Sequence, residues 1–292
     1  MMDLIANLIS GLSLGSIYAL IALGYTMVYG IAKMLNFAHG DIIMVGAFAV
    51  VTTVSTLGFP PMLAILASIV CCVALGVCIE RVAYKPLRKA PPLAVLITAI
   101  GVSYFLQSLA LLIYGSTQHS FPKVISVPAI QLGALTVQGN MLVTLAVTTL
   151  IMVGMSVFIA KSKTGKAMRA VSEDRDAAEL MGISVNRTIT ITFAIGSALA
   201  AVAGLFYGTT YHFVGPYTGS MPGIKAFVAA VFGGIGSMPG AMLGGILLGV
   251  IENLAKRYIS TELSDAIVFA VLIIVLMVKP TGLLGKRVNE KV

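Results

Sequence analysis

Residues 4–30 read LIANLISGLSLGSIYALIALGYTMVYG, a run with no charged side chain. A helix of about 20 apolar residues crosses the hydrocarbon core of a bilayer, so this run is long enough to do so. It is too long for the apolar region of a cleaved signal peptide, and Met1-Met2-Asp3 lacks the basic residues that would precede one. We read it as a retained first span. Just beyond it, residues 34–49 read MLNFAHGDIIMVGAFA and place Asn36, His39 and Asp41 close together between two apolar stretches.

Composition extends this reading to the whole chain. Only 10% of the 292 residues are charged and 58% are apolar, with a mean hydropathy of +1.01. That leaves too little polar surface to cover a soluble globule. The net charge of +8 does not point to nucleic acid, because Lys and Arg gather in short groups rather than in a stripe with interleaved aromatics. Cys71, Cys72 and Cys78 lie in one apolar run with no C-x-x-C pair, and are read as small buried hydrophobes.

Stretches long enough to span lie at about 4–30, 41–57, 61–79, 93–114, 141–160, 189–210, 238–255 and 264–278, with a shorter Gly-rich piece at 223–235. The expected fold is all-α: a polytopic integral membrane protein of about eight or nine spans, some short or broken, forming one domain over 1–292. Lys and Arg near span ends stay cytoplasmic. The basic groups are Arg81, Lys85, Arg88 and Lys89; Lys161, Lys163, Lys166, Arg169 and Arg175; and Lys279, Lys286, Arg287 and Lys291. Placing all three inside puts the N-terminus outside. It also requires 223–235 to cross, which leaves Lys256 and Arg257 external and gives nine spans. If 223–235 does not cross, the count is eight and the tail is external. The successive glycine steps Gly236/Gly240, Gly240/Gly244 and Gly245/Gly249 are read first as helix packing within the subunit.

Residues 161–187, KSKTGKAMRAVSEDRDAAELMGISVNR, look like a short cytoplasmic helix between two spans. Ser172 is expected as its N-cap, with Glu173, Asp174 and Asp176 near the positive end of its dipole and Gly182 at its C-terminal stop. Ala177, Ala178, Leu180, Met181 and Ile183 supply an apolar surface with Glu179 among its acidic neighbours, which suggests docking onto a partner.

Several blocks of the chain resemble a known family. GLSLGSIYALIALGYTMVYGIAKMLNFAHGD (11–41), SEDRDAAELMGI (172–183) with TFAIGSALAAVAG (192–204), GIKAFVAAVFGGIGSMPGAMLGG (223–245) and the final KPTGLLGK (279–286) are similar to LivH-type permease subunits of branched-chain amino acid ABC importers. The resemblance implies a multi-pass permease of the bacterial inner membrane that moves Leu, Ile and Val and holds no cofactor. Its implied partners are a second permease subunit (LivM-type or another copy), two cytoplasmic ATP-binding subunits and a periplasmic amino-acid-binding protein. Relatives that handle urea, amides or other amino acids give an alternative substrate class. The resemblance also makes 172–182 the coupling loop, with Ser172, Glu173, Asp174, Asp176, Ala177, Ala178, Glu179 and Gly182 as candidate coupling residues.

The residues agree with a transporter that borrows its energy. No G-x-x-x-x-G-K-[ST] occurs: Gly165-Lys166 is followed by Ala167 and Gly285-Lys286 by Arg287. An enzyme is not expected, since His39, His119 and His212 fall on different sides of the membrane and H-E-x-x-H is absent. An ion-coupled transporter would want charges at membrane depth, whereas Asp41, Lys225 and Glu252 all sit near expected span ends, where capping or snorkelling explains them.

For the pathway, Tyr18, Tyr25 and Tyr29 fall on one helical stripe and Asn36 follows; Tyr18, Tyr25 and Asn36 are the candidate lining residues. The stretch around Asn36, His39, Gly40 and Asp41 has two readings. One is a tight polar turn at the cytoplasmic end of the first span, broken by Gly40 and capped by Asp41. The other is a broken, partly re-entrant element that acts as a gate hinge.

Overall fold

The structure, a computed structural model, describes residues 2–88, 90–132 and 135–285. Lys89, Lys286, Arg287 and Lys291 from the basic groups lie outside the described residues. The helices are α1 (Met2–Ala32), α2 (His39–Val51), α3 (Pro61–Ile79), α4 (Pro92–Tyr114), α5 (Gly139–Lys161), α6 (Lys163–Glu173), α7 (Arg175–Leu180), α8 (Val185–Tyr211), α9 (Ser220–Gly233), α10 (Met238–Tyr258) and α11 (Ser264–Val278). π-Helical turns Thr52–Thr56 and Glu80–Tyr84 prolong α2 and α3. Two small antiparallel pairs lie in the connections: β1 (His119–Ser120) with β4 (Phe213–Val214), and β2 (Ile130–Leu132) with β3 (Leu135–Val137).

Local chemistry sets the helix ends. Pro61 and Pro92 stand in the first turns of α3 and α4, where a missing N–H costs nothing. Among the described residues, seven helices are long and apolar enough to cross a membrane, with α9 and α11 as shorter apolar helices. The expected class, an all-α membrane protein with some short spans, is the class observed. α1, α2 and α8 form the buried centre, while α3, α4 and α5 lie outside them with exposed apolar faces.

Small residues let the central helices touch backbone to backbone. Gly249 of α10 faces the Gly15 backbone and Gly245 faces Ala19 of α1, while Gly240 and Gly244 face Gly233 and Ala229 of α9. The Gly240/Gly244 and Gly245/Gly249 steps are therefore packing within the subunit, while Gly236, at φ 91°, lies in the turn before α10.

The chain is built twice, in opposite senses. Among the described residues, two non-glycine residues have positive φ: Lys33 (52°) and His212 (64°). Each ends a long central helix, α1 or α8, in the left-handed conformation that reverses the chain. Residues 34–38 and 215–219 then fold back into the bundle, and α2 and α9 begin inside it. α2 packs against α3 and α8, as α9 packs against α10 and α1. Thus α1–α4 and α8–α11 repeat one order of long helix, interior-starting helix and two further helices. Because α1 and α8 run antiparallel, the repeats are inverted.

Both ends of the bundle can be assigned. Arg88 bonds Asn186, Gly30 lies beside Gly236, and Leu284 N–H donates to the Gly233 carbonyl at 2.9 Å, so residues 80–88, 161–187 and the chain near 284 share one end. Asn253 donates to the Asn7 carbonyl at 2.6 Å at the other end, which Lys256 and Arg257 share. This is the arrangement expected if 223–235 crosses, although α9 starts inside the bundle rather than at its far surface.

One of the two readings of the Asn36–Asp41 stretch fails here, the tight turn at the cytoplasmic end of the first span. Instead, the His39 ring fills the space beside Gly24, about 12 Å back along α1 from Ala32. The left-handed Lys33 turns the chain inward, which carries the polar residues into the interior.

Candidate functional site

α2 and α9 meet with their N-termini together. A Cβ at Gly40 would strike the Gly219 carbonyl, one at Gly219 would strike the Gly40 carbonyl, and one at Gly223 would press on the Gly40 Cα. Only glycine permits this approach. Both helices point their positive dipole ends at the same place. Around it the protein sets mostly neutral polar groups. Asp41 Oδ1 accepts from Gln107 Nε2 at 2.9 Å, and that amide also lies 3.2 Å from Ser103 Oγ and 3.3 Å from Ser220 Oγ. Tyr25 stacks edge-on against His39, with ring centroids 4.7 Å apart, and also faces Phe227 at 6.0 Å. His39 Nε2 is buried without a hydrogen-bond partner. Asn36 lies nearer the basic end, where its Oδ1 accepts from the Tyr84 hydroxyl at 2.9 Å.

The structure therefore brings Tyr25, His39, Gly40 and Asp41 together, with Asn36 below them. Asp41 does not cap α2. The N-cap is Ala38, without a side-chain bond, because the Asp41 carboxylate turns away to reach α4. Tyr18 does not join this group. It is fully buried beside Glu252 and Tyr211, in a second cluster.

That second cluster corrects another expectation. Lys225 and Glu252 neither cap nor snorkel: both are buried, and Lys225 Nζ donates to Glu252 Oε1 at 2.8 Å. Lys225 also pairs with Asp265 at 2.6 Å, and Lys256 reaches Glu252 at 2.5 Å. Two cations and two carboxylates balance, and they tie α9 to α10 and α11. Asp41 is likewise buried. The apolar runs gave no sign that these charges would find one another, since three separate helices supply them.

The cytoplasmic segment also differs from its expected form. It is two helices, and Ser172 lies in the last turn of α6, where its hydroxyl donates to the Arg169 carbonyl at 2.7 Å. Asp174 is the N-cap of α7: its backbone is extended, and Oδ1 accepts from Asp176 N–H at 2.9 Å and Ala177 N–H at 3.0 Å. A carboxylate at that position satisfies two free N–H groups and meets the helix dipole. Glu173 thus closes α6 instead of opening α7. Gly182 stands at φ 79° and ends the segment as expected. Leu180 and Met181 are 89% and 81% exposed, while Ala178 packs inward and Ala177 and Glu179 face outward.

Arg175, which the sequence reading counted only as a basic loop residue, donates to the carbonyl of Ala32. α7 is thereby joined to the last turn of α1, just before the linker that enters α2. Burial and the like charge of Arg88 push the Arg175 guanidinium below its ordinary value, while its partner carbonyl needs it as a donor. Gln107, Ser103 and Ser220 were also missed. Their signal was a polar Ser103/Gln107 pair four residues apart in an otherwise apolar span, a spacing that shares a helix face.

Residues 7–276 match the family model described as the permease component of branched-chain amino acid transport systems. The chain is 44% identical over 298 positions to the high-affinity branched-chain amino acid transport system permease protein LivH of Salmonella typhimurium, covering 98% of this chain and 97% of that protein. LivH of Escherichia coli (strain K12) and BraD of Pseudomonas aeruginosa match with the same identity and coverage.

Proposed function

The chain belongs to the family of branched-chain amino acid transport permeases, and from that premise we propose that it carries Leu, Ile and Val through the inner membrane as one permease subunit of an ABC importer. The basic end, with α6 and α7, faces the cytoplasm. A second permease subunit, two ATP-hydrolysing subunits at α7 and an external amino-acid-binding protein complete the assembly.

The observation that carries this reading is the start of α9. Met221 and Ile224 in its first turns are 42% and 43% exposed, although the helix begins inside the bundle. Behind them stand Ser220, Gln107 and Asp41. A zwitterion with a branched aliphatic side chain needs this combination: an apolar surface, a few hydrogen-bonding groups, one carboxylate for an ammonium and helix N-termini for a carboxylate. The pathway runs along this uncovered face, against the second permease subunit. The Gly40–Gly219–Gly223 contact behind it is the hinge, with Tyr25, His39 and Asn36 holding its inner side.

Coupling follows from the connections. A push on the exposed Leu180 and Met181 moves α7, Arg175 passes it to the Ala32 carbonyl, and the 34–38 linker delivers it to the first turn of α2. No nucleotide site is needed in this chain.

The test is uptake into vesicles that hold the chain with its partner subunits. Leu, Ile and Val should enter with ATP and continue to enter when ion gradients are collapsed. Urea and amides should compete poorly. Uptake driven by a proton or sodium gradient without ATP would overturn the reading. On a cysteine-free background, Met221→Cys and Ile224→Cys should react with a water-soluble maleimide during turnover. Complete protection in every state would place that face in lipid and remove the proposed route.

A further inference from the structure

At the basic end, a cleft of about 450 Å³ opens between the π-helical turn Glu80–Tyr84 and the first turn of α8. Arg81 and Lys85 line one wall; Ser184, Asn186, Arg187 and Ile191 line the other. The acid beside it is already spent. Glu80 is fully buried, takes Arg88 on Oε1, and accepts the Thr190 hydroxyl on Oε2 at 2.9 Å. Arg88 also donates to Asn186 Oδ1, which leaves the Asn186 amide nitrogen to donate elsewhere. Among the described residues, none of Arg81, Lys85 and Arg187 has a carboxylate within ion-pair distance. The cleft thus offers two guanidiniums, an ammonium, an amide and a hydroxyl with no opposing charge, a donor set that fits a phosphate group.

The location selects among phosphates. Arg81 and Lys85 continue the exposed stripe of α3 that runs through Leu66, Val70 and Cys78, and Val82 beside them is 72% exposed. An uncovered apolar stripe that ends in cations at the inner membrane surface matches a phospholipid in both its parts, acyl chain and charged head. We propose that this cleft binds the phosphate headgroup of an anionic phospholipid of the cytoplasmic leaflet, with an acyl chain lying along α3. The proposal rests on the membrane orientation given above. The acidic surface of an ATP-hydrolysing partner is the rival occupant, and the α3 stripe favours the lipid.

The full chain is reconstituted in nanodiscs of phosphatidylcholine with phosphatidylglycerol, extracted in mild detergent, and its retained lipids are counted by native mass spectrometry. The wild type should enrich phosphatidylglycerol over phosphatidylcholine. Arg81→Gln/Lys85→Gln/Arg187→Gln should lower that enrichment about a hundredfold, roughly fivefold per cation. Lys163→Gln/Lys166→Gln, on α6, should leave it unchanged. Should the triple variant aggregate, Lys85→Gln alone must still lose about fivefold and Arg81→Lys/Arg187→Lys must retain the lipid. Displacement of phosphatidylglycerol by millimolar inorganic phosphate would make this a free-anion site and overturn the proposal. So would full enrichment in the triple variant, with or without weaker capture of the ATP-hydrolysing subunit. Labelling of Lys85→Cys from outside intact cells would instead refute the orientation, which separates the two failures.

Discussion

The two interior-starting helices occupy equivalent places in the inverted halves, yet the protein anchors them by different chemistry. α2 is held by neutral groups: the Gln107 amide on Asp41 and the Tyr84 hydroxyl on Asn36. α9 is held by charge, with Lys225 set between Glu252 and Asp265. Their linkers are gripped at opposite ends of the bundle as well. The 34–38 linker follows Ala32, the carbonyl that Arg175 of α7 holds. The chain entering α9 is held at the far end by the β1–β4 pair and by Phe121 N–H on the His212 carbonyl at 3.0 Å. Repetition fixed the path of the backbone and left the anchors free to diverge. One helix is positioned to respond to the basic end of the bundle, the other to the opposite end.

The charge anchor should be the more fragile. Lys225→Met leaves Glu252 and Asp265 facing Lys256 alone, and breaking a buried pair costs about 3–5 kcal/mol. The chain lacks Trp, so loss of structure is best followed by circular dichroism or, since Cys71 and Cys78 prove exposed rather than buried as read from the sequence, by a thiol dye reaching the buried Cys72 once those two are replaced by Ser. Adding Glu252→Gln restores balance between Lys256 and Asp265 and should recover most of the lost stability. A double variant no better than the single would show that Lys225 acts through packing rather than charge, and the contrast between the halves would disappear.

The neutral anchor should fail more gently. Gln107→Leu removes the amide that donates to Asp41, at a cost of about 1–3 kcal/mol. Asp41→Asn keeps a hydrogen-bonding side chain there and should cost less in stability than Gln107→Leu, while lowering uptake if the carboxylate meets substrate. Equal losses of stability and uptake in both variants would make the group purely structural. Gly24→Ala, which drives a methyl group into the His39 ring, should cost about 1–3 kcal/mol by overpacking. His39→Ala on that background should relieve it.

Much of this molecule could be read before its structure. Span length, the glycine steps and the basic loops are local or additive signals, and every expected span has a helix within a few residues of its place, although among the described residues seven of these helices are long and apolar enough to cross. The failures inside the bundle share one cause. The depth of His39 depends on a left-handed Lys33, and the pairing of Lys225 with Glu252 depends on which helices become neighbours. Asp41, Lys225 and Glu252 looked like span-end residues because sequence position was taken for depth, and that equivalence breaks wherever a helix starts inside the bundle. The polar pair Ser103 and Gln107 was visible, but its partner Asp41 lies on another helix, and no spacing rule connects them.

The smallest predicted effects test the link between α7 and α2. Arg175→Gln keeps a donor of nearly the same reach but loses the charge and the guanidinium fork. Its stability should change by less than about 1 kcal/mol, since the residue is only partly buried and bonds a single carbonyl. ATP hydrolysis by the assembled complex should continue while uptake per ATP falls, because the motor still runs and its push no longer reaches Ala32. Asp174→Ala should act in the same direction more weakly, by fraying the first turn of α7 at about 1 kcal/mol. Ser172→Ala should stay within about 0.5 kcal/mol of the wild type and keep its coupling, since that hydroxyl only bonds back to its own helix. If Ser172→Ala uncoupled the complex and Asp174→Ala did not, α7 would be capped differently when the ATP-hydrolysing subunit is bound. The path from α7 through Arg175 to α2 would then have to be abandoned, and both interior-starting helices would answer to the outer end alone.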